Sequence, residues 1–560
     1  MKRIFMLSVV SGCVLASLGC SKQSAEPTSS VPVAETSAAS QVFTLDAARD
    51  NLSFAKNQYL KLIEHVANER HLDMKEGCDA TPETICVPRS QEKDEIHMEL
   101  PEKWTNGFYP GVLWKLLSAK DDINNWQAGE EQKLYETARY YQNTLFSESK
   151  RGSTHDLGFI LYDSFGEALD YDGLDEKTRA EYLTALEVGR ATLATRYTDE
   201  VGLIRSWDWI PRMRILTLED GEQVKDMYTL SNPWTYPVIV DNMMNLEYLF
   251  ASDNARYHEI AFNHAKHTSI NHYFYDESDT QKQYPLSYHV FDYGSHKPGN
   301  WQGVGNVSAW ARGQGWSLYG FVTVVEAMEQ AQIDLSTYPD FKAHLSNLYG
   351  SIEHLLQDDV VPAWDYFATR DNAYEYAENI SKDTTVFHGI LGLCDKQIED
   401  NILPYVGYKP MTLEASMLST ESLERLEGKV NWHGEKIIQG DKLIPCGTQA
   451  YSDSHVKVPK DTSAAAIYAA ALYRYANYTK DQDEKAKYAA LADKIMAKLT
   501  AEYRTDRKGK GRDSSLGLGF VLSEATGDFG NGGEIDTPII YGDFYFIEAN
   551  MRKLELEANK

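Results

Sequence analysis

The chain has 560 residues, 42% of them hydrophobic and 25% charged, an ordinary globular composition that excludes disorder, collagen-like repeats and a small disulfide-stapled mini-protein. Its 55 basic and 83 acidic side chains leave a net charge of −28 with no long basic stripe, so the electrostatic footprint of a nucleic-acid binder is missing. A polyanionic substrate is still allowed, because salt screens charge beyond about 8 Å and local arginine placement outweighs the global balance.

At the N-terminus, Lys2 and Arg3 precede an apolar run from Ile4 to Leu18, too short for a conventional membrane span. The run ends Leu18-Gly19-Cys20 and is followed by Ser21-Lys22-Gln23. This resembles a bacterial lipoprotein signal over residues 1–19, in which Cys20 becomes the lipidated first residue; a plain secretory signal with an incidental cysteine is the alternative. Residues 20–43, rich in Ser, Ala, Thr, Pro, Glu and Val, read as a flexible tether. The protein is therefore expected at the bacterial cell envelope, lipid-anchored, facing the periplasm or the surface, with membrane contact only through that lipid. Cys78, Cys86, Cys394 and Cys446 would meet an oxidising compartment, where two disulfides and three connectivities are open. Cys78–Cys86 with Cys394–Cys446 is the favoured pairing. With no CxxC pair and no HExxH, neither a metal nor a cofactor is expected.

From residue 44 the reading is mostly helical. Leu45–Arg70, Lys133–Phe146, Glu176–Leu193, Ala309–Glu329, Phe341–Leu356, Thr462–Tyr478 and Asp483–Tyr503 each repeat apolar residues at three- and four-residue spacing among good helix formers. Thr462-Ser463 before three alanines opens a helix with small residues suited to close packing. Asn-Gly hairpins are few and no βαβ rhythm appears, which argues against a parallel α/β sheet. At about 150 residues per domain the length would suggest roughly 3 to 4 domains, but helical pairs recurring along the chain favour one all-α helical barrel over 44–556. The polar stretch at about 370–460, which holds Cys394 and Cys446, reads as an inserted subdomain. Aromatic residues make 12% of the chain, enough for a large core with rings left to line a cleft.

Five stretches are denser in Trp, Gly, Asp and Arg than packing needs: Trp104-Thr105-Asn106-Gly107-Phe108-Tyr109-Pro110-Gly111; His155-Asp156-Leu157-Gly158-Phe159; Val238-Ile239-Val240-Asp241-Asn242-Met243-Met244; Ser287-Tyr288-His289-Val290 through Trp310-Ala311-Arg312-Gly313-Gln314-Gly315-Trp316; and Glu534-Ile535-Asp536-Thr537-Pro538 with Tyr541-Gly542-Asp543-Phe544. On residues alone each admits a bland reading. Asp156 caps a helix, Asp241 bonds a loop backbone, Arg312 and Trp316 are a packing pair, His289 holds a structural hydrogen bond, and Trp104 belongs to the core.

In this order the five stretches resemble glycoside hydrolase family 88, the unsaturated glucuronyl hydrolases, over roughly residues 100–365 and 460–555. The resemblance implies an (α/α)6 barrel, a glycosidase. Its substrates would be lyase-generated oligosaccharides carrying a 4,5-unsaturated uronic acid at the non-reducing end, which it removes by hydrating the C4=C5 vinyl ether. By motif match, Asp241 takes the general acid/base position and Asp156 that of a second essential carboxylate. Arg312 and Trp316, four apart on one helix face, would grip the uronate and stack on the sugar. His289 and Gln302 match substrate-contacting positions, and Trp104 would form a wall. Chemically, one carboxyl must stay protonated near neutral pH, and the apolar neighbours Val238, Ile239, Val240, Met243 and Met244 would desolvate Asp241. The sequence departs from the family pattern at Asn106, Tyr109, Trp301, Asn306-Val307 and Ser523-Glu524, around the site but sparing both Asp and the Arg. An unsaturated rhamnogalacturonyl hydrolase, a lyase on a similar toroid, or a non-catalytic glycan-binding lipoprotein on the same barrel are the alternatives.

Overall fold

The computed structural model describes residues 43–69, 78, 85–92, 95–207, 215–217, 223–225, 234–276, 279–299, 302–303, 307–331, 338–368, 458–507, 517–528 and 534–558, with a few positions between 423 and 443. Cys20, the tether, Trp301, Asn306, Cys394, Cys446 and nearly all of the 370–460 stretch lie outside them. Cys78 and Cys86 are joined by a disulfide.

Eleven α-helices order the described residues: α1 (Leu45–Glu69), α2 (Phe108–Ser118), α3 (Glu130–Asn143), α4 (Glu176–Ala194), α5 (Asn245–Phe250), α6 (Ala255–Asn271), α7 (Ala311–Gln330), α8 (Phe341–Leu355), α9 (Thr462–Tyr478), α10 (Gln482–Lys498) and α11 (Ile540–Ala558). A π helix, Gly158–Gly166, lies between α3 and α4. Helices α2, π, α5, α7, α9 and α11 pack each against the next, and α11 returns to α2, closing an inner ring. The others form the outer layer, α3 on α2, α4 on π, α6 on α5, α8 on α7, α10 on α9, and α1 across α11 and α2. The described helices thus make an (α/α)6 barrel.

The two layers differ in how they bury their faces. Outer α3 buries Leu134, Ala138, Tyr141 and Gln142, one stripe of a helix that is otherwise wet. Inner α2 buries all of Phe108 to Leu117, and α9 all of Thr462 to Ala476. Sequence periodicity finds the outer helices α1, α3, α4, α8 and α10 and, among the inner ones, the long α7 and α9, but misses α2, π, α5 and α11; in α2, burial along nearly the whole length leaves no polar face to mark a period. Outer α6 was missed as well; its buried positions include His264 and Thr268, which blur the apolar stripe. Helix α9 begins where Thr462-Ser463 predicts, and its cap is Asp461, whose carboxylate accepts from the Ser463 and Ala464 amides.

Close approach inside the ring depends on small residues. A Cβ at Gly107 would lie 2.0 Å from the Phe159 carbonyl oxygen, and one at Gly111 2.0 Å from that of Asp163. One turn apart, the two glycines let α2 lie directly against the backbone of the π helix. Short antiparallel strands decorate the rim: β1 (Val87–Glu92) with β2 (Glu95–Glu99), and β3 (Pro237–Ile239) with β4 (Val290–Asp292) and β5 (Lys297–Gly299). The pairs joining these named strands are all antiparallel, in line with the missing βαβ rhythm.

Replacing Gly111 by alanine should cost about 1–3 kcal/mol, the usual penalty of overpacking, seen as a lower Tm in thermal denaturation. An unchanged Tm would mean that α2 has room to move off the π helix.

Candidate active site

The inner helices start at one rim, and Trp104, Asp156, Asp241, Arg312 and Trp316, all named from the sequence, are at or near such starts, while His289 and Gln302 come from the strand-bearing segment before α7. Trp104 opens the short turn before α2, Asp156 lies two residues before the π helix, and Asp241 sits in the 3-10 turn that runs into α5. Arg312 and Trp316 fall in the first turns of α7, Asp461 caps α9 and Tyr541 begins α11. The opposite rim holds a separate network. There Lys115 pairs with Glu167 at 2.7 Å, Arg474 with Glu247 at 2.6 Å and Arg552 with Glu548 at 2.6 Å. The bundle places its positive helix ends on one side and ties off the other with ion pairs.

Asp156 and Asp241 are brought together by Ser206. Its carbonyl accepts the His155 amide at 3.3 Å, its amide donates to the Pro237 carbonyl at 3.0 Å, and its hydroxyl accepts the Ile239 amide at 2.9 Å. The turn holding Asp241 is then pinned from below. The Asn245 side chain accepts the Gly158 amide at 2.9 Å and donates to Asn242 at 2.7 Å, and Asn242 donates to the Ile204 carbonyl at 2.6 Å. Asp156 takes a hydrogen bond from the Thr154 hydroxyl and has His155 Nε2 3.2 Å away. Burial holds His155 below the ordinary histidine range.

Asp241 is 8% exposed. Burial, opposed by the Arg312 cation and reinforced by the negative charge of Asp156, pushes its carboxyl up to about 7. The Trp316 indole N–H acts in the lowering direction without closing a hydrogen bond, and Oδ2 has no hydrogen-bond partner among the described residues. His289 Nε2 lies 3.6 Å from that oxygen. Because His289 Nδ1 accepts the Gln302 amide at 3.1 Å, the ring's hydrogen sits on Nε2. Burial and the Arg312 charge hold this ring well below the usual histidine range. A neutral imidazole therefore points its N–H at the carboxyl, close enough to orient it and too far for a full hydrogen bond.

Arg312 is built into the protein by its own hydrogen bonds. It is 1% exposed, and its terminal nitrogens are spent on the chain itself. One donates to Asp461 Oδ2 at 3.1 Å and the Thr526 carbonyl at 2.6 Å; the other donates to Gln302 Oε1 at 2.9 Å and the Gly527 carbonyl at 2.6 Å. Its terminal nitrogens thus bind backbone and side chains, its Nε has no hydrogen-bond partner among the described residues, and its charge reaches Asp241. Trp316 likewise shows no exposed face at 0%. Its ring packs 5.1 Å from Phe159 and 5.4 Å from Tyr545. Trp104 is half-buried, stacked 5.1 Å from Tyr541, and keeps an open edge on the rim. Gln302 serves as a joint, binding His289 through its amide and Arg312 through its side chain.

Sequence reasoning missed His155, Ser206, Asp461 and the Thr526 and Gly527 carbonyls. An Asp before Thr-Ser signals a cap, but nothing local says that its second oxygen will catch an arginine 149 residues away. Trp207 was missed too; it bridges to Thr154 beside Asp156 and stacks 5.9 Å from Trp234, giving the rim a second aromatic wall.

No protein-family model matches the chain. Among curated proteins it is similar to an unsaturated glucuronyl hydrolase of Formosa agariphila, 27% identical over 477 residues that span 84% of this chain and 85% of the relative. It is also similar to an unsaturated chondroitin disaccharide hydrolase of Streptococcus pyogenes, 24% identical over 306 residues, 52% of this chain and 66% of the relative. Among solved structures, an unsaturated glucuronyl hydrolase specific for heparin matches with a TM-score of 0.58 over 92% of this chain and 99% of its own, at 24% identity, a likeness of fold.

Difference infrared spectroscopy of the protein against its Asp241→Asn variant should show a protonated-carboxyl band at acidic pH that disappears as pH rises through about 7. A band already lost in the ordinary carboxylate range would contradict the desolvated site.

Proposed function

We propose that this chain, a member of the unsaturated glucuronyl hydrolase family, removes a 4,5-unsaturated uronic acid from the non-reducing end of oligosaccharides left by a polysaccharide lyase. The single observation that carries the residue assignment is the buried Asp241 carboxyl, raised to about 7, with one oxygen unpartnered and a second acid in electrostatic reach.

Hydration of a vinyl ether needs an acid that is still protonated near neutral pH and a site that tolerates positive charge on the ring. The Asp241 carboxyl gives its proton to C4, the C4=C5 π electrons form the new C–H bond, and C5 becomes an oxocarbenium carbon. The Asp156 carboxylate, held by Thr154 beside His155, stabilises that charge. Water then adds to C5 and loses a proton to the Asp241 carboxylate, which restores the acid. The hemiketal so formed opens to a C5 ketone, and the hemiacetal at C1 expels the aglycone as an alcohol. No group attacks the anomeric carbon, so the carboxyl-separation rule of retaining and inverting glycosidases does not apply. The positive ends of the inner helices favour the anionic uronate, while Trp104 and Trp207 offer apolar walls.

Incubation with a Δ4,5-uronyl disaccharide should abolish the absorbance of the conjugated enol ether; a lyase would raise it, and a binding protein would leave it unchanged. Asp241→Asn should fold normally and lose about 10²–10⁴-fold in kcat, the usual worth of a general acid. Turnover should fall as pH rises through about 7, because the acid is then ionised. Ordinary turnover in Asp241→Asn would refute the assignment.

The leader and Cys20 support attachment to the cell envelope through an N-terminal lipid. Metabolic labelling with a fatty acid should mark the wild-type chain and leave Cys20→Ser unmarked; equal labelling of both would refute it.

A further inference from the structure

Outside the barrel, the β1–β2 hairpin follows directly on the Cys78–Cys86 disulfide. It is stitched to the segment leading into α11: the Gln91 amide donates to the Pro538 carbonyl at 3.0 Å, the Thr537 hydroxyl donates to the Gln91 carbonyl, and Ser90 bridges Ile539. From β1, Arg89 reaches inward. Its Nε and one terminal nitrogen donate to the two oxygens of Glu534, each at 2.6 Å, and the other terminal nitrogen donates to Glu99 at 2.7 Å. All three side chains are largely buried. Two-pronged arginine–carboxylate geometry of this kind fixes direction as well as distance.

Glu534 in turn is seated on Gly527. The Gly527 amide donates to the Glu534 carbonyl at 2.7 Å, and a Cβ on Gly527 would lie 2.1 Å from the Glu534 carboxylate oxygen. Glu534 holds a left-handed φ of +51°, a conformation a non-glycine residue keeps only when its surroundings enforce it. The Gly527 and Thr526 carbonyls are the acceptors that lock the Arg312 guanidinium. A continuous line of contacts therefore runs from Arg89 through Glu534 and Gly527 to Arg312, the cation that faces Asp241.

We propose that Arg89 is a positioning residue for the active site, which sets the placement of the Arg312 cation relative to the Asp241 carboxyl by clamping Glu534 onto Gly527. It touches neither carboxyl of the site and acts from a hairpin that belongs to neither helical layer. The groups facing Asp241 are Asp156 from the loop before the π helix, His289 from the approach to β4, and Arg312 and Trp316 from α7. Arg312 is itself faced by Asp461, Tyr541 and Glu534. Of these, Arg312 is the one held by the 526–527 carbonyls. Loosening the clamp lets this cation drift, and the Asp241 carboxyl then holds its proton to higher pH.

The inference rests on the hydrolase reading of the site, and its test has one readout that does not need turnover. Arg89→Lys keeps the charge and loses the two-pronged grip. Gly527→Ala changes no charge and pushes the Glu534 carboxylate off its seat. In both variants the infrared titration of Asp241 should move upward by about half a pH unit or more, and the alkaline limb of kcat should move with it while KM changes less than kcat. A lowered Tm with the Asp241 titration unmoved in both variants overturns the proposal, since Arg89 is then a structural brace alone. Failure of both variants to fold overturns it equally. An Asp241 shift in a protein whose wild type turns over no unsaturated disaccharide upholds the positioning role and discards the hydrolase reading instead.

Discussion

A buried arginine joins this structure together. Arg312 is removed from water, and a guanidinium in that setting is costly unless most of its donors are paired; here Nε is left without a hydrogen-bond partner among the described residues. Its terminal nitrogens are paired with the cap of α9, with Gln302 and with two carbonyls from the 526–527 loop. Its plane also lies 4.6 Å from the Trp310 ring and 5.0 Å from that of Tyr541. The residue thus fixes α7, α9, the segment before α11 and the His289–Gln302 pair in one frame, and it leaves a positive charge against Asp241. Removing it would expose four acceptors to one another as well as deleting a charge.

Asp241 is the product of a balance inside that frame. Burial alone would drive a carboxyl far up, and Asp156 adds to the push; the Arg312 cation and the Trp316 indole pull back. The net value near neutrality is the one the proposed reaction asks of its acid, which donates and then recovers its proton in each cycle. His289 contributes orientation more than charge, because the amide at its Nδ1 fixes the tautomer and burial keeps the ring neutral. The two rims of the inner ring divide their tasks accordingly. One holds polar atoms of Asp241, Arg312, Trp316 and Tyr541 that have no hydrogen-bond partner among the described residues, while the other closes on itself in ion pairs among Lys115, Glu167, Glu247, Arg474, Glu548 and Arg552.

Two of the residues picked from the sequence show how burial and motif interact. Arg312 and Trp316 share the face of α7 that their spacing requires, and that face is buried in the ring. A motif match locates a side chain along the chain and on an element. It cannot say whether the atoms at its tip are spent on substrate or on the protein, because that depends on what the next helix presents.

The sequence by itself determined the outer helices whose burial is one-sided and, among the inner ones, the long α7 and α9. The stripes of α1, α3, α4, α8 and α10, the Asp-Thr-Ser start of α9 and the acid–apolar setting of Asp241 can all be read locally, since each depends on neighbours within a few residues. The closure of the barrel's inner ring and the assembly of its rim were decided by tertiary structure. The short, buried α2 carries no periodic polar mark, and Arg312 meets acceptors 149, 214 and 215 residues away. Ser206, Asn242 and Asn245 act only because three separate segments converge on them. Long-range hydrogen bonding of buried polar groups is a property of the packed chain, and no local pattern of residues records it.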